Sequence, residues 1–179
     1  MNNPVISVYS EAFFELSKEK DKLALHKQNL NQINDILREH EDFNRVLLSP
    51  SVEKEDKKKM FKELFNDLDP DALNLAFLLF DKSRFSIFGE LTRDFNKKYN
   101  KENNIAEGIV YSAVELSESQ IDDLVKALSK KFDKKVELEN KIDTSLIGGV
   151  SVLLEGKRID NSIKNRLDNL KAHLRKEGE

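Results

Sequence analysis

The chain has 179 residues, enough for one or two domains with a real hydrophobic core. Its 30 Lys and Arg nearly cancel its 33 Asp and Glu, so a charged fraction of 35% leaves no net field to attract phosphate backbones or anionic lipid. Cysteine is absent, which excludes disulfide staples, thiolate metal sites and cysteine nucleophiles.

The longest strongly apolar run, Leu75 to Phe80, is far short of the roughly 20 residues of a membrane helix. The first residues carry Glu11, Glu15 and Glu19 and lack an apolar core, unlike a transit peptide or a secretion signal. The expectation is a soluble protein made where it works.

Residues 1–104 read as helices. Val5, Tyr9, Ala12, Phe13 and Leu16 recur at steps of three and four, as one helical face requires. Leu23, Leu30, Ile33 and Leu37 continue in a second helix. A short helical segment from Asp42 to Leu48 ends at Ser49-Pro50, because the residue before proline disfavours helix. Met60, Phe61, Leu64 and Phe65 line the next helix. Asp69-Pro70 then supplies an N-cap followed by proline at the first helical position. The run ALNLAFLLF from Ala72 to Phe80 is apolar nearly all round, as suits the centre of a bundle. Phe85, Phe88, Leu91 and Phe95 mark a last amphipathic helix, and the sum is a bundle of six helices.

A charged turn at 100–104 reads as a linker, and the pattern changes after it. Ile109, Val110, Tyr111 and Val114 favour strand. Ser117 to Gln120 forms a capping box, with Leu116 and Ile121 placed as a hydrophobic staple. Ile121, Leu124, Val125, Leu128 and Phe132 fall on one helical stripe. Val136 and Leu138 alternate with Glu137 and Glu139, and Val150, Val152 and Leu154 repeat that period before a tight turn at Glu155-Gly156. Ile163, Leu167, Leu170 and Leu174 close the chain with another amphipathic helix. The expected fold is therefore α+β and mostly α. A helical bundle over 1–104 precedes a smaller mixed domain over 105–179, a short sheet with two helices.

Little in the chain resembles catalytic chemistry. Gly148, Gly149, Gly156 and Lys157 have the wrong spacing for a phosphate loop, and the VSVLLE between them is strand-like. The glycines instead suggest a bulge or a close strand approach. His26, His40 and His173 share no metal-ligand spacing and are expected as solvated surface groups. Glu137 and Glu139 could pose as paired carboxylates, but a solvent face opposite Val136 and Leu138 accounts for them. The dense lysines from Lys54 to Lys62 alternate with Glu53, Glu55, Asp56 and Glu63, the wet side of a helix. No catalytic, cofactor or metal site is expected, and an interaction protein is favoured.

One stretch, 140–170, has a recognisable signature: Ile142-Asp143, then Ser145 to Val150 (SLIGGV), Ile159-Asp160, Ser162 and Arg166-Leu167. Together with VYSEAFFELS near the start and NLAFLLFDKSRF in the middle, it resembles the delta subunit of F-type ATP synthases, the oligomycin-sensitivity-conferring protein family, over nearly the whole chain. Ser10 stands where that family usually has alanine, Thr144 where proline is common, and Asn161 and Asn165 in place of glycines. The resemblance implies a non-catalytic connector of the peripheral stalk, without cofactors and present once per complex, not a homo-oligomer. Its helical domain would hold the N-terminal helix of an alpha subunit in a groove between its first and fifth helices. Tyr9, Ala12, Phe13, Leu75, Leu78 and Leu79 are the candidate lining. Its second domain would meet the C-terminal helices of the b subunits, with Lys164 and Arg166 as candidate contacts. The resemblance also implies a location on the cytoplasmic face of a bacterial membrane, peripheral through the complex, with no nucleic acid bound. A helical adaptor serving an unrelated partner is the alternative.

Overall fold

A computed structural model describes residues 4–163, 165 and 167. Seven α-helices, a short 3-10 turn and four strands are found among them, an α+β fold that is mostly helical. The chain forms two compact units that divide between Tyr99 and Asn100.

The first unit holds α1 (Pro4–Glu19), α2 (Leu23–Glu39), α3 (Glu41–Leu48), α4 (Lys54–Leu64), α5 (Pro70–Asp81) and most of α6 (Phe88–Glu102), with the 3-10 turn at Phe85–Ile87. The turn takes Phe85 out of the last helix, where the periodicity had placed it. Its core is rich in phenylalanine: Phe80, Phe85 and Phe88 stack in succession, with centroid distances of 4.2 and 5.4 Å, and Phe61 meets Phe80 and Phe85 edge-on. Asp69 caps α5 through a 2.9 Å bond from the Asp71 amide to its Oδ1, with Pro70 at the first helical position.

The buried face of α1 consists of Ile6, Ser10, Phe13, Phe14 and Ser17. It is rotated from the stripe of apolar residues in the sequence, so Val5, Tyr9 and Leu16 lie half-buried along its edge and Ala12 is exposed. Two buried serines had disguised the period. Ser17 is satisfied by the Phe13 carbonyl at 2.6 Å, whereas the hydroxyl of Ser10 has no partner.

His26 is fully buried, which corrects the expectation of a surface histidine. Its Nδ1 lies 2.7 Å from Ser17 Oγ on α1, its Nε2 lies 3.2 Å from Asp69 Oδ1 at the head of α5, and its ring stacks on Phe13. Polar groups so buried need partners, and these partners are what hold α1, α2 and α5 together. Lys22 adds a 2.7 Å bond to Asp69 Oδ2, and Lys20 donates to both oxygens of Asp71 at 2.7 Å. His40 is exposed, as expected, and His173 lies outside the described residues.

The second unit is built on a sheet of order β2-β1-β3-β4, from β1 (Ile105–Ser112), β2 (Lys135–Ile142), β3 (Val150–Leu154) and β4 (Lys157–Asp160). β1 and β2 are parallel, joined by α7 (Glu118–Phe132), while β3 and β4 run antiparallel. The capping box opens α7 with both of its bonds made. One sheet face, with Ala106, Val110, Val136, Val152 and Leu154, packs on Leu128 and its helical neighbours. Glu155 and Gly156 both have positive φ, 48° and 78°, as a two-residue hairpin turn of the primed type requires.

The glycine-rich signature is a backbone clasp. Gly149 has φ of 76°, and a Cβ there would sit 2.7 Å from the Asn161 carbonyl oxygen. Around it the Ile163 amide donates to the Gly148 carbonyl and the Asn161 amide to the Val150 carbonyl, both at 3.0 Å. Asp160 Oδ1 accepts from the Ser162 amide, and Asn165 Nδ2 donates to the Asp160 carbonyl, a bond a glycine at 165 would lack.

Two predictions follow from these contacts. Burial pushes the Asp69 carboxyl up, but the Lys22 ammonium, the Asp71 amide and the His26 ring outweigh it and hold the group at about 2. An unfolded aspartate titrates near 4, so Asp69 adds stability above that pH and loses it as pH falls toward 2, a contribution on the order of 2 kcal/mol. Denaturant unfolding of wild type and Asp69→Asn, which keeps the cap, is expected to show a stability gap at pH 6 that closes by pH 2. A gap independent of pH would refute the assignment. Second, Gly149→Ala combines left-handed strain of about 1–2 kcal/mol with a backbone clash, whereas Gly156→Ala carries the strain into open space. Hydrogen exchange in β3 and β4 is expected to accelerate far more for Gly149→Ala, and equal acceleration would show that the close crossing is unimportant.

Candidate partner-binding surfaces

The first and fifth helices run antiparallel and are tied at both ends. Lys20, just past the end of α1, bridges to Asp71 in the first turn of α5. At the other end Arg84, just past α5, donates from Nη1 to the Tyr9 hydroxyl at 3.3 Å and lies over its ring. Both ties are long cationic side chains, a way of holding two helices in register with little direct packing between them.

The six candidate lining residues divide by depth. Phe13, Leu75 and Leu79 are buried, with Leu79 wholly so. Tyr9 is half-buried, Ala12 is exposed, and Leu78 is 42% exposed. The apolar run of α5 is almost entirely consumed by the core, since Ala72, Leu73, Leu75, Ala76, Leu79 and Phe80 are all buried. Leu78 is its one large outlying side chain. Sequence reasoning passed over Val8, 66% exposed one turn before Ala12, and had Arg84, which donates to Tyr9, only as part of the middle motif and not as a site residue. Val8 is visible in retrospect as an apolar residue just off the buried stripe.

In the second unit Lys164 and Arg166 lie outside the described residues. Ile163 and Leu167, on either side of them, are each 45% exposed, so Leu167 is not the core residue that the amphipathic pattern suggested.

The groups with potential for chemistry are otherwise engaged. Ser17, His26 and Asp69 are ordered like a hydrolytic triad, but Ser17 is fully buried and already bonded to the Phe13 carbonyl. Ligand atoms of His26, Asp69 and Asp71 lie within 4.8 Å of one another, a spacing that could hold a cation. Lys20 and Lys22 fill that role with their ammonium groups, and a metal ion would have to displace both. Glu137 pairs with Lys135 at 3.2 Å and Glu139 with Lys141 at 3.5 Å, which suits a solvent-side charge pattern better than acid–base work. Of the dense lysines, Lys58 bridges Glu55 and Asp81, Lys59 meets Asp56, and Lys54 donates to the Asp81 carbonyl.

Comparison with known proteins shows the family. The family model described as ATP synthase delta (OSCP) subunit matches residues 5–174. The ATP synthase subunit delta of Clostridioides difficile (strain 630) is 33% identical over 176 residues, covering 97% of each chain. The sodium ion specific delta subunit of Propionigenium modestum is 30% identical, covering 90% of this chain and 93% of that one. Among solved structures, a chain of the Toxoplasma gondii mitochondrial ATP synthase hexamer superposes with a TM-score of 0.74 at 21% identity, covering 94% of this chain and 96% of its own. That likeness establishes the fold, and the sequence matches establish the kinship. The chain belongs to the ATP synthase delta (OSCP) subunit family, and is a non-catalytic subunit of the peripheral stalk.

Proposed function

We propose that this stalk subunit works as a two-ended clamp, its first unit holding the N-terminal helix of an alpha subunit and its second meeting the C-terminal helices of the b subunits. The clamp passes the reaction torque of rotation from the catalytic head to the stalk, so that proton flow is coupled to ATP synthesis. The observation that carries this reading is the α1–α5 pair, tied at both ends by Lys20 and Arg84 and bearing accessible side chains on each helix. A helix laid there meets Tyr9, Ala12 and Leu78 at its surface, with Phe13, Leu75 and Leu79 forming the floor beneath. Helix-in-groove recognition of this kind draws its affinity from a few apolar anchors and its register from polar rim groups.

In this reading α1–α6 form one bundle that serves as the head-binding domain, 1–104, and residues 105–179 form the stalk-binding domain. Lys164 and Arg166 belong to the stalk contact as charged partners of acidic side chains. No helix among the described residues is long and apolar enough to cross a membrane, so the attachment to the cytoplasmic membrane face is assigned to the complex.

A calorimetric titration of the chain with a peptide of the cognate alpha N-terminus is expected to show one-to-one binding. Leu78→Asp is expected to weaken it at least tenfold, about 1.4 kcal/mol, at unchanged melting temperature, because that side chain stands outside the core. In the assembled synthase the same variant lowers gradient-driven ATP synthesis while hydrolysis by the head persists. A titration with no heat, or a variant that binds as wild type, would overturn the groove assignment. Co-purification with unrelated proteins instead of the synthase would favour a free adaptor.

A further inference from the structure

Two clefts of the first unit meet along α3, and the clamp proposed above uses neither. The first, of about 680 Å³, lies between α2, α3 and the start of α6. Leu37, Phe85 and Phe88, all buried, form its floor. Around that floor stand the guanidinium groups of Arg38 and Arg45, the amides of Asn34 and Asn44, and the Ser86 hydroxyl. The second cleft, of about 560 Å³, shares Leu48, Phe85 and Ser86 with the first. Its lining is mainly apolar, with Leu47, Pro50, Val52 and Phe80 beside the shared Leu48 and Phe85. Lys54 also lines it but is committed to the Asp81 carbonyl at 2.7 Å, and Glu53 and Lys57 are opposite in sign.

The polar groups of the first cleft are only lightly engaged by the chain itself. Arg38 reaches Asp35 at 4.0 Å and Arg45 reaches Asp42 at 3.4 Å, with both guanidinium side chains 77% exposed. Exposed pairs of that kind hold weakly. Among the described residues, the side chains of Asn34, Asn44 and Ser86 form no hydrogen bond within the chain. Glu41 is the one carboxylate of this lining, so two guanidiniums outweigh it in a chain whose net charge is -3. Guanidinium forks match the oxygens of phosphate and carboxylate. An apolar and aromatic cavity of a few hundred cubic ångströms, with a few convergent polar groups, is the usual form of a small-molecule site.

We propose that the paired clefts bind one free single-chain amphiphile with an anionic head. Arg38 and Arg45 hold the phosphate or carboxylate oxygens, and Asn34, Asn44 and Ser86 supply further hydrogen bonds. The alkyl tail passes over Leu48 into the second cleft and lies against Phe80, Phe85 and Val52. The division of labour follows the linings, one cleft rich in donors and the other in apolar surface. This site stands apart from the connector reading and does not depend on it.

The test titrates the full chain by calorimetry with dodecyl phosphate, hexyl phosphate and dodecyltrimethylammonium, each below its micelle concentration. Dodecyl phosphate is expected to bind one-to-one. Hexyl phosphate is expected to bind at least about tenfold more weakly, because each methylene placed among apolar side chains adds affinity. The cation, with the same tail, is expected to show no saturable binding. Replacing both arginines, Arg38→Gln with Arg45→Gln, is expected to weaken dodecyl phosphate at least about tenfold. Leu48→Ser is expected to weaken it several-fold. Melting temperatures should stay near wild type, since the two guanidiniums and Leu48 are exposed. No saturable binding of dodecyl phosphate, equal binding of the cation, or unchanged affinity in these variants would each overturn the proposal. So would displacement of dodecyl phosphate by the alpha-subunit peptide, which would move the amphiphile to the α1–α5 groove. Sedimentation with phosphatidylglycerol vesicles without uptake of dodecyl phosphate would point to a bilayer contact instead and equally overturn it.

Discussion

Asp69 sits where three helices meet, and the geometry of the first unit depends on its being charged. One carboxylate caps α5 through the Asp71 amide, accepts from Lys22 and faces the ring of the buried His26. His26 passes the connection on to Ser17 and so to α1. Apolar packing alone would allow α1 to slide or turn against α5 at modest cost, since hydrophobic burial has no direction. A hydrogen-bonded chain in a dry environment does have direction, and breaking it leaves polar groups stranded. The node therefore sets the register of the two helices assigned to the head. Arg84 and Tyr9 repeat the constraint at the far end with solvent-exposed, weaker chemistry.

Much of the architecture was legible in the residues. The apolar steps of three and four, the Asp69-Pro70 start, the Ser117–Gln120 box and the Glu155-Gly156 turn are local signals, and each is realised locally. What escaped was the product of distant partners. His26 was assigned to the surface because it shares no metal-ligand spacing with the other histidines, yet it stands three after Leu23 and four before Leu30, in place on the apolar stripe of α2. A polar residue in register with a buried stripe is the signal that finds it, and the same test finds Ser10 and Ser17. The parallel pairing of β1 with β2 has no local signature either, because it is decided by where α7 returns the chain.

The candidate surfaces were less legible than the fold. Periodicity separates an inside from an outside but does not show how much of an apolar face its own domain will consume. The run from Ala72 to Phe80 supplied half of the candidate groove lining, and the core took all but Leu78 among its large aliphatic side chains. The glycines of the signature from Ser145 to Ser162 suggested a bulge or a close strand approach, and Gly149 makes a close backbone approach. The signature's glycines and Asp160 let two chain segments cross closely, and Ile147 and Ile163 stand exposed beside the crossing.

The central position of β1 bears on how the second unit is made. This strand leaves the ribosome first, yet it needs a neighbour on each side, one from beyond α7 and one later still. A nascent chain that stops short of Val150 would offer a bare strand edge to any other extended polypeptide nearby. In the finished sheet β3 lies along that edge from Gly108 to Ser112, so completion of the second unit removes its own site of mispairing.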